Sequence, residues 1–219
     1  MDARLLALFA ASVAPAARPP APAAVEALKE LVQARDSAIT EATALKNQLA
    51  SAETTFLRRQ LTRRIRRLTA DIAALEREIA RRIAADEGLA RRSAILSSIP
   101  GIGPVVAATL LARLTELGDC SDKEIAMLAG LAPLADDSGR HQGARVIRGG
   151  RGAVRRVLYL AAVTATRYNP AMAIFYQRLV AAGKAKKVAL TAVARKLLVL
   201  ANALIRQNRA WQPAPPSSA

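Results

Sequence analysis

Residues 134–151 read LADDSGRHQGARVIRGGR, and they gather most of the reactive side-chain types that this chain has to offer. Asp136 and Asp137 precede Ser138, and Arg140, Arg145, Arg148 and Arg151 follow it. Four chemistries fit those types. Two adjacent carboxylates cannot easily share one ion on a regular element, so they are weak evidence for Mg²⁺. A Ser-His-Asp hydrolase would have to use His141, the chain's single histidine, and neither a nucleophile elbow nor a clear third member accompanies it. DDSG is also an ordinary turn sequence, because all three residue types favour turns. The fourth chemistry is attack by the Ser138 hydroxyl on a phosphodiester. That reaction needs cations against the non-bridging oxygens and the leaving group, and the four arginines are close enough in sequence to supply them. Gly149 and Gly150, just before a helix starting near Arg151, add a helix start that a phosphate can approach. On residue types alone, turn and nucleophile both stay open.

Charge narrows the partner. The chain has 219 residues, 33 Lys and Arg against 17 Asp and Glu, and a net charge of +16. Every acid lies at or before Asp137, and the fifteen Lys and Arg beyond it face no acid in sequence. A folded segment of one sign repels itself and calls for a polyanion, with nucleic acid the expected one. The basic residues do not form one juxtamembrane cluster, and no run of about 18 apolar residues stands out, so no membrane partner is expected. The single cysteine, Cys120, allows neither a disulfide framework nor a zinc site. It reads as an inert thiol near a helix start.

The elements that would position these residues are helical. Hydrophobic residues make up 52% of the chain and aromatics only 3%, with Ala and Leu prominent. A short helix is expected over residues 3–13, followed by a Pro/Ala linker. A long helix starts near Ala24 and breaks at SAETT, residues 51–55. Leu57, Leu61, Ile65, Leu68, Ile72, Leu75, Ile79 and Ile83 then repeat at steps of three and four, the spacing of a coiled-coil seam. Two such helices form either an antiparallel hairpin or a dimerising coil. Arg58, Arg59, Arg63, Arg64, Arg66 and Arg67 crowd the second helix, either as a solvated face or against a phosphate backbone.

Further along, Ile99-Pro100-Gly101-Ile102-Gly103 sits between two apolar helical runs and resembles the helix-hairpin-helix of proteins that bind DNA without sequence specificity. Gly101 and Gly103 would let the backbone approach a phosphate, and the amides that follow would point at it. Ser121 and Glu124 fit a capping box for a short helix stopped by Gly130. Helices are expected over 154–165, from Pro170 to near Gly183, and over 186–208, with a disordered tail. Lys184, Lys186 and Lys187 read as a phosphate-facing cluster. Tyr159, Tyr168 and Tyr176 read as packing residues, and Trp211 as a cap on the last helix.

The run from IPGIGPVV through GLAPLADDSGRHQGARVIRGGRGAVRRVLY to GKAKKVALTAVARKLL resembles the C-terminal domain of the DEDD-type insertion-sequence transposases. These form a bridge-RNA-guided group related to the Piv DNA invertase. The resemblance covers roughly residues 93–205. It implies that Ser138 is the nucleophile that joins covalently to DNA. It also carries over Gly143, Arg145, Ile147, Gly149, Gly150, Arg151, Arg155 and Tyr159 as the motif that follows. Members of that group have a RuvC-like domain with four metal-binding acids, ending in an element similar to the MDARLLALFA that opens this sequence. Asp2 therefore resembles the last acid of the tetrad, and the resemblance makes it a catalytic and metal-binding residue. The other three acids have no counterpart here.

The expectation is a mainly α protein. Residues 1–23 would be the end of the acidic domain plus the linker, 24–90 a coiled-coil helical pair, 91–209 the serine transposase domain with a helix-hairpin-helix, and 210–219 a tail. The resemblance implies a truncated transposase with DNA as partner, a guide RNA as a further partner, and Mg²⁺ in the complete protein with no stable binding here. A cytoplasmic, nucleoid-associated location and a homo-oligomer joined by the coiled coil are expected. The alternative is a non-catalytic DNA-binding and oligomerising remnant.

Overall fold

The computed structural model describes residues 2–14, 21–134 and 146–213. These form a mainly α fold of nine helices and one two-residue antiparallel strand pair. Helix α1 (Ala3–Val13) begins at Asp2 and buries none of its residues. Helices α2 (Ala23–Ser51) and α3 (Thr55–Ala85) then form a long antiparallel hairpin. The break falls where the sequence turns polar. Thr54 caps α3 by accepting from the Leu57 amide, and Arg58 donates to the Leu49 and Ala52 carbonyls at the end of α2. One side chain thus satisfies carbonyls that a helix end leaves without partners.

The seam residues Leu45, Ala52 and Leu61, with Leu49, Ile65 and Leu68 against them, close on each other within the chain. Of the two arrangements open to such a pair, the structure adopts the hairpin. Leu57, at the start of the seam, and Ile39 stay exposed. The root of the hairpin, through Leu28, Val32 and Ile79, enters the same hydrophobic core as the helices that follow.

Helix α4 (Glu87–Ser97) is separated from α3 by Asp86, which accepts from the Leu89 amide and restarts the helix. The coiled-coil pair was expected over residues 24–90, with no second break marked after residues 51–55. A seam pattern of steps of three and four does not register a one-residue cap, because Ile83 and Leu89 are apolar on both sides of it. Helix α5 (Pro104–Arg113) lies at the centre, with every residue from Ala107 to Ala112 buried. Helix α6 (Asp122–Leu128) carries the expected capping box between Ser121 and Glu124. Strands β1 (Pro133–Leu134) and β2 (Val146–Ile147) pair antiparallel, Leu134 opposite Val146. Helices α7 (Gly152–Tyr168), α8 (Pro170–Ala181) and α9 (Lys186–Arg206) complete the domain.

By length and composition α9 is apolar enough to cross a membrane. In the fold it serves as a core helix instead. Ala189, Val193, Ala194, Leu197, Leu198, Ala201 and Leu204 are buried, and so is Asn202. The Asn202 amide accepts from the Gly118 N–H at 2.7 Å and donates to the Cys120 carbonyl at 2.9 Å. Both partners belong to the turn between α5 and α6, so a single polar side chain fixes that turn inside an apolar core.

Candidate nucleic-acid interface

Ser138, Asp136, Asp137, Arg140, His141, Gly143 and Arg145 lie outside the described residues, between the two strands. What the structure defines is the base of that segment, which is held on one side and faces a cavity on the other. On one side Gly150 abuts the end of α6. It has φ +63°, and a Cβ there would stand 2.3 Å from the Gly130 nitrogen and 2.8 Å from the Leu128 carbonyl oxygen. Only a residue without a side chain permits that approach in that backbone conformation. The Arg151 amide then donates to the Leu128 carbonyl at 2.8 Å. Arg155 reaches back from α7 to donate to the Gly149 carbonyl at 2.7 Å and the Gly130 carbonyl at 3.4 Å. On the other side Pro133 and Ile147 face Val188, Thr191 and Arg195 on the first turns of α9, around a cavity of about 460 Å³.

This geometry gives two of the expected phosphate ligands partners within the chain. The Arg151 guanidinium forms a bidentate pair with Glu116, at 2.6 and 2.7 Å, and also donates to the Arg113 carbonyl at 2.7 Å. The Glu116 carboxylate pushes the Arg151 pKa up from its ordinary value, against the opposing effect of burial. With its donors committed, Arg151 orients the helix start. One Arg155 nitrogen, Nη1, likewise donates to backbone carbonyls. Both are struts of the loop base, because each finds an internal acceptor in the folded chain that the local sequence does not show.

The strut continues inward. Arg113 pairs with Asp36 on α2 at 3.0 Å, Asp36 with Arg35, and Arg35 with Glu76 on α3 at 2.9 Å. One hydrogen bond to the Arg113 backbone and a chain of ion pairs thus link Arg151, at the loop base, to the root of the hairpin. Sequence reasoning missed Glu116, Arg113 and Asp36 in this role. Their partners stand 35 and 77 residues apart, and no periodicity reports such a pairing.

The remaining expected residues fall into two groups at opposite ends of α7. Gly149, Arg148, Lys184, Lys186 and Lys187 are exposed near the loop base and the start of α9. Nothing lies within 4 Å of where a Gly149 Cβ would be, so its surface is open. Gly101 and Gly103 sit at the other end. Gly101, at φ +108°, packs on Ala165, where a Cβ would meet the Ala165 Cβ at 2.6 Å. Its glycine is explained by that helix contact, which corrects the expectation that it makes room for a phosphate. Gly103 does have an open surface at the start of α5. Thirteen residues of α7 separate Gly152 from Ala165, about 20 Å at 1.5 Å per residue.

The turn at 98–103 is tied down by Asn169, which donates to the Pro100 carbonyl, and by the Trp211 amide, which donates to the Ser98 hydroxyl at 2.8 Å. Trp211 thus fastens the chain after α9 to this turn. Tyr176 packs on the core as expected, whereas Tyr168 is largely exposed. The Cys120 thiol is pushed up by burial, then by Glu124 and Glu116, and so stays protonated at neutral pH.

Asp2 is the residue singled out for metal. Its carboxylate accepts from the Arg4 amide at 3.0 Å and caps α1. Among the described residues no cluster of three metal-binding side chains exists. A lone capping carboxylate does not fit Mg²⁺, which needs several oxygens in near-octahedral array.

Residues 93–177, the helices that frame this loop base, match the model of the transposase IS116/IS110/IS902 family. This segment is a domain of that family. The chain is 37% identical over 153 residues to the pilin gene-inverting protein of Moraxella bovis, a match covering 66% of this chain and 46% of that protein. The Moraxella lacunata pilin gene-inverting protein matches to the same extent. The 42 kDa protein of insertion element IS900 from Mycobacterium paratuberculosis is 33% identical over 165 residues, covering 71% of this chain and 40% of that one. The chain thus spans less than half the length of these transposase-family relatives.

Proposed function

We propose that this transposase-family chain binds duplex DNA without sequence specificity and presents Ser138 to a phosphodiester. The observation that carries the reading is that the loop base and the start of α9 line one cavity. The ribbon that flanks the serine segment faces, across a cavity of about 460 Å³, the first turns of the helix whose start bears Lys184, Lys186 and Lys187. Three cations at a helix N-terminus oppose the helix macrodipole, and a phosphate there relieves both. The open starts at Gly149 and Gly103, about 20 Å apart along α7, would contact the backbone some six base pairs from one another.

In the proposed chemistry the Ser138 oxygen forms a bond to phosphorus while a bond from phosphorus to a DNA oxygen breaks. The serine proton passes to a base, and the departing oxygen takes up a proton. Arg140 and Arg145, neighbours of Ser138 in sequence, would stabilise the phosphorane charge. No step is assigned to Asp2 or to a metal ion. A second reading for this chain by itself is DNA binding without strand cleavage.

A labelled duplex separates these readings. The full chain, its Ser138→Ala variant and its Lys184→Ala/Lys186→Ala/Lys187→Ala variant would be titrated at several salt concentrations and then denatured. Loss of the lysines is expected to lower the slope of log K against log salt by about 2.7, at about 0.9 per phosphate contact. Ser138→Ala is expected to bind as the parent does. A serine-dependent covalent adduct with this chain alone would establish the cleavage reading over the binding one. Absence of any salt-dependent binding would refute both.

A further inference from the structure

The first half of α3 carries a second basic surface, well away from the loop base. Residues 54–70 contain six arginines and no acid. The same helix handles its arginines differently further on. Glu78 accepts from both Arg81 and Arg82, and its carboxyl is held well below the usual range, at about 2, by those two bonds. Within 54–70, Arg58 caps α2, and Arg64 meets Glu41 at 3.4 Å with both side chains more than half exposed. Arg59, Arg63 and Arg66 have no carboxylate partner among the described residues. They follow Phe56 at steps of three, four and three, which places the four side chains on one face of the helix. They line one shallow groove with Thr62 and Gln60. Phe56, 68% exposed, stands at its outer end.

We infer that this groove, at the free end of the α2–α3 hairpin, is a second binding surface for the sugar–phosphate backbone of duplex DNA. Uncompensated arginines at the start of a helix destabilise it through mutual repulsion and the macrodipole, and both penalties vanish against phosphate. The stripe from Phe56 to Arg66 is about 15 Å long at 1.5 Å per residue, enough to meet several phosphates. Arg63 lies sixteen residues from Ile79, where α3 joins the main core, so the contact stands about 24 Å out along the helix. A rod of that length holds DNA outside the segment engaged at the loop base. Duplex DNA is the occupant because the chain carries a transposase-family domain and because one exposed aromatic is too few for a stacking platform on single strands. The inference rests on the proposed DNA binding.

The test compares the full chain with R59A/R63A/R66A and with R81A/R82A, using a 30-base-pair DNA duplex and an RNA duplex of equal length. Circular dichroism confirms the fold of each. The triple variant is expected to lose about 2.7 from the salt slope, so that parental affinity falls about 40-fold more than the variant's between 50 and 200 mM salt. The double variant is expected to stay close to the parent, since Arg81 and Arg82 donate to Glu78 and lie outside the groove. Equal losses in both variants, no change in the triple variant, or a loss confined to RNA would overturn the inference. If the parent binds DNA and only the lysine variant weakens it, the inference fails while the proposed function stands.

Discussion

Gly149 and Gly150 are neighbours with the same left-handed backbone, at φ +69° and +63°, yet they meet different surroundings. A Cβ on Gly149 would touch nothing, while one on Gly150 would press on the Gly130 backbone at 2.3 and 2.6 Å. Alanine in the left-handed region costs about 1–2 kcal/mol at either position. At Gly150 the backbone must also separate from α6. That breaks the bond from the Arg151 amide to Leu128, worth about 1 kcal/mol, and loosens the Arg155 clamp, worth about as much again. Gly149→Ala should therefore destabilise by about 1 kcal/mol and Gly150→Ala by about 3 kcal/mol. In a chain of this size these correspond to falls of roughly 2–4 °C and 6–12 °C in Tm. Urea and thermal unfolding measure the difference, and hydrogen exchange of the Arg151 amide locates it. Equal destabilisation by the two alanines would refute the claim that the loop base is set by backbone contact with α6.

Two further outcomes are expected. Asn202→Leu removes the acceptor for the Gly118 amide and the donor to Cys120 inside the core, and should cost about 2–4 kcal/mol in urea unfolding. An unchanged midpoint would show that water satisfies those groups. Glu78 titrates at about 2 because Arg81 and Arg82 donate to it, a pKa below that of an unfolded glutamate. Its stabilising contribution is therefore present above the unfolded value near 4.3 and lost as pH falls through about 2. Carboxyl NMR should place the Glu78 midpoint near 2 in the parent and in the ordinary glutamate range in R81A/R82A.

Much of this protein was legible in its sequence because the signals are local. The break at residues 51–55, the capping box at Ser121 and Glu124, and the helix start at Pro170 rest on side chains that bond within three or four residues. The one-sided charge after Asp137 is a property of composition, and the GLAP-to-LY run by itself carries the family resemblance. The tertiary structure decided which cations face outward. Arg151 and Arg155 have the same local sequence signal as Arg148, yet Glu116, Gly130 and Gly149 take them inward. It also decided that the α2 and α3 seams close on each other, and that Gly101 answers to Ala165. Each of these depends on a partner dozens of residues away or on the space available for a single carbon atom. A linear pattern encodes neither, because both arise only when helices that are individually predictable are packed against one another.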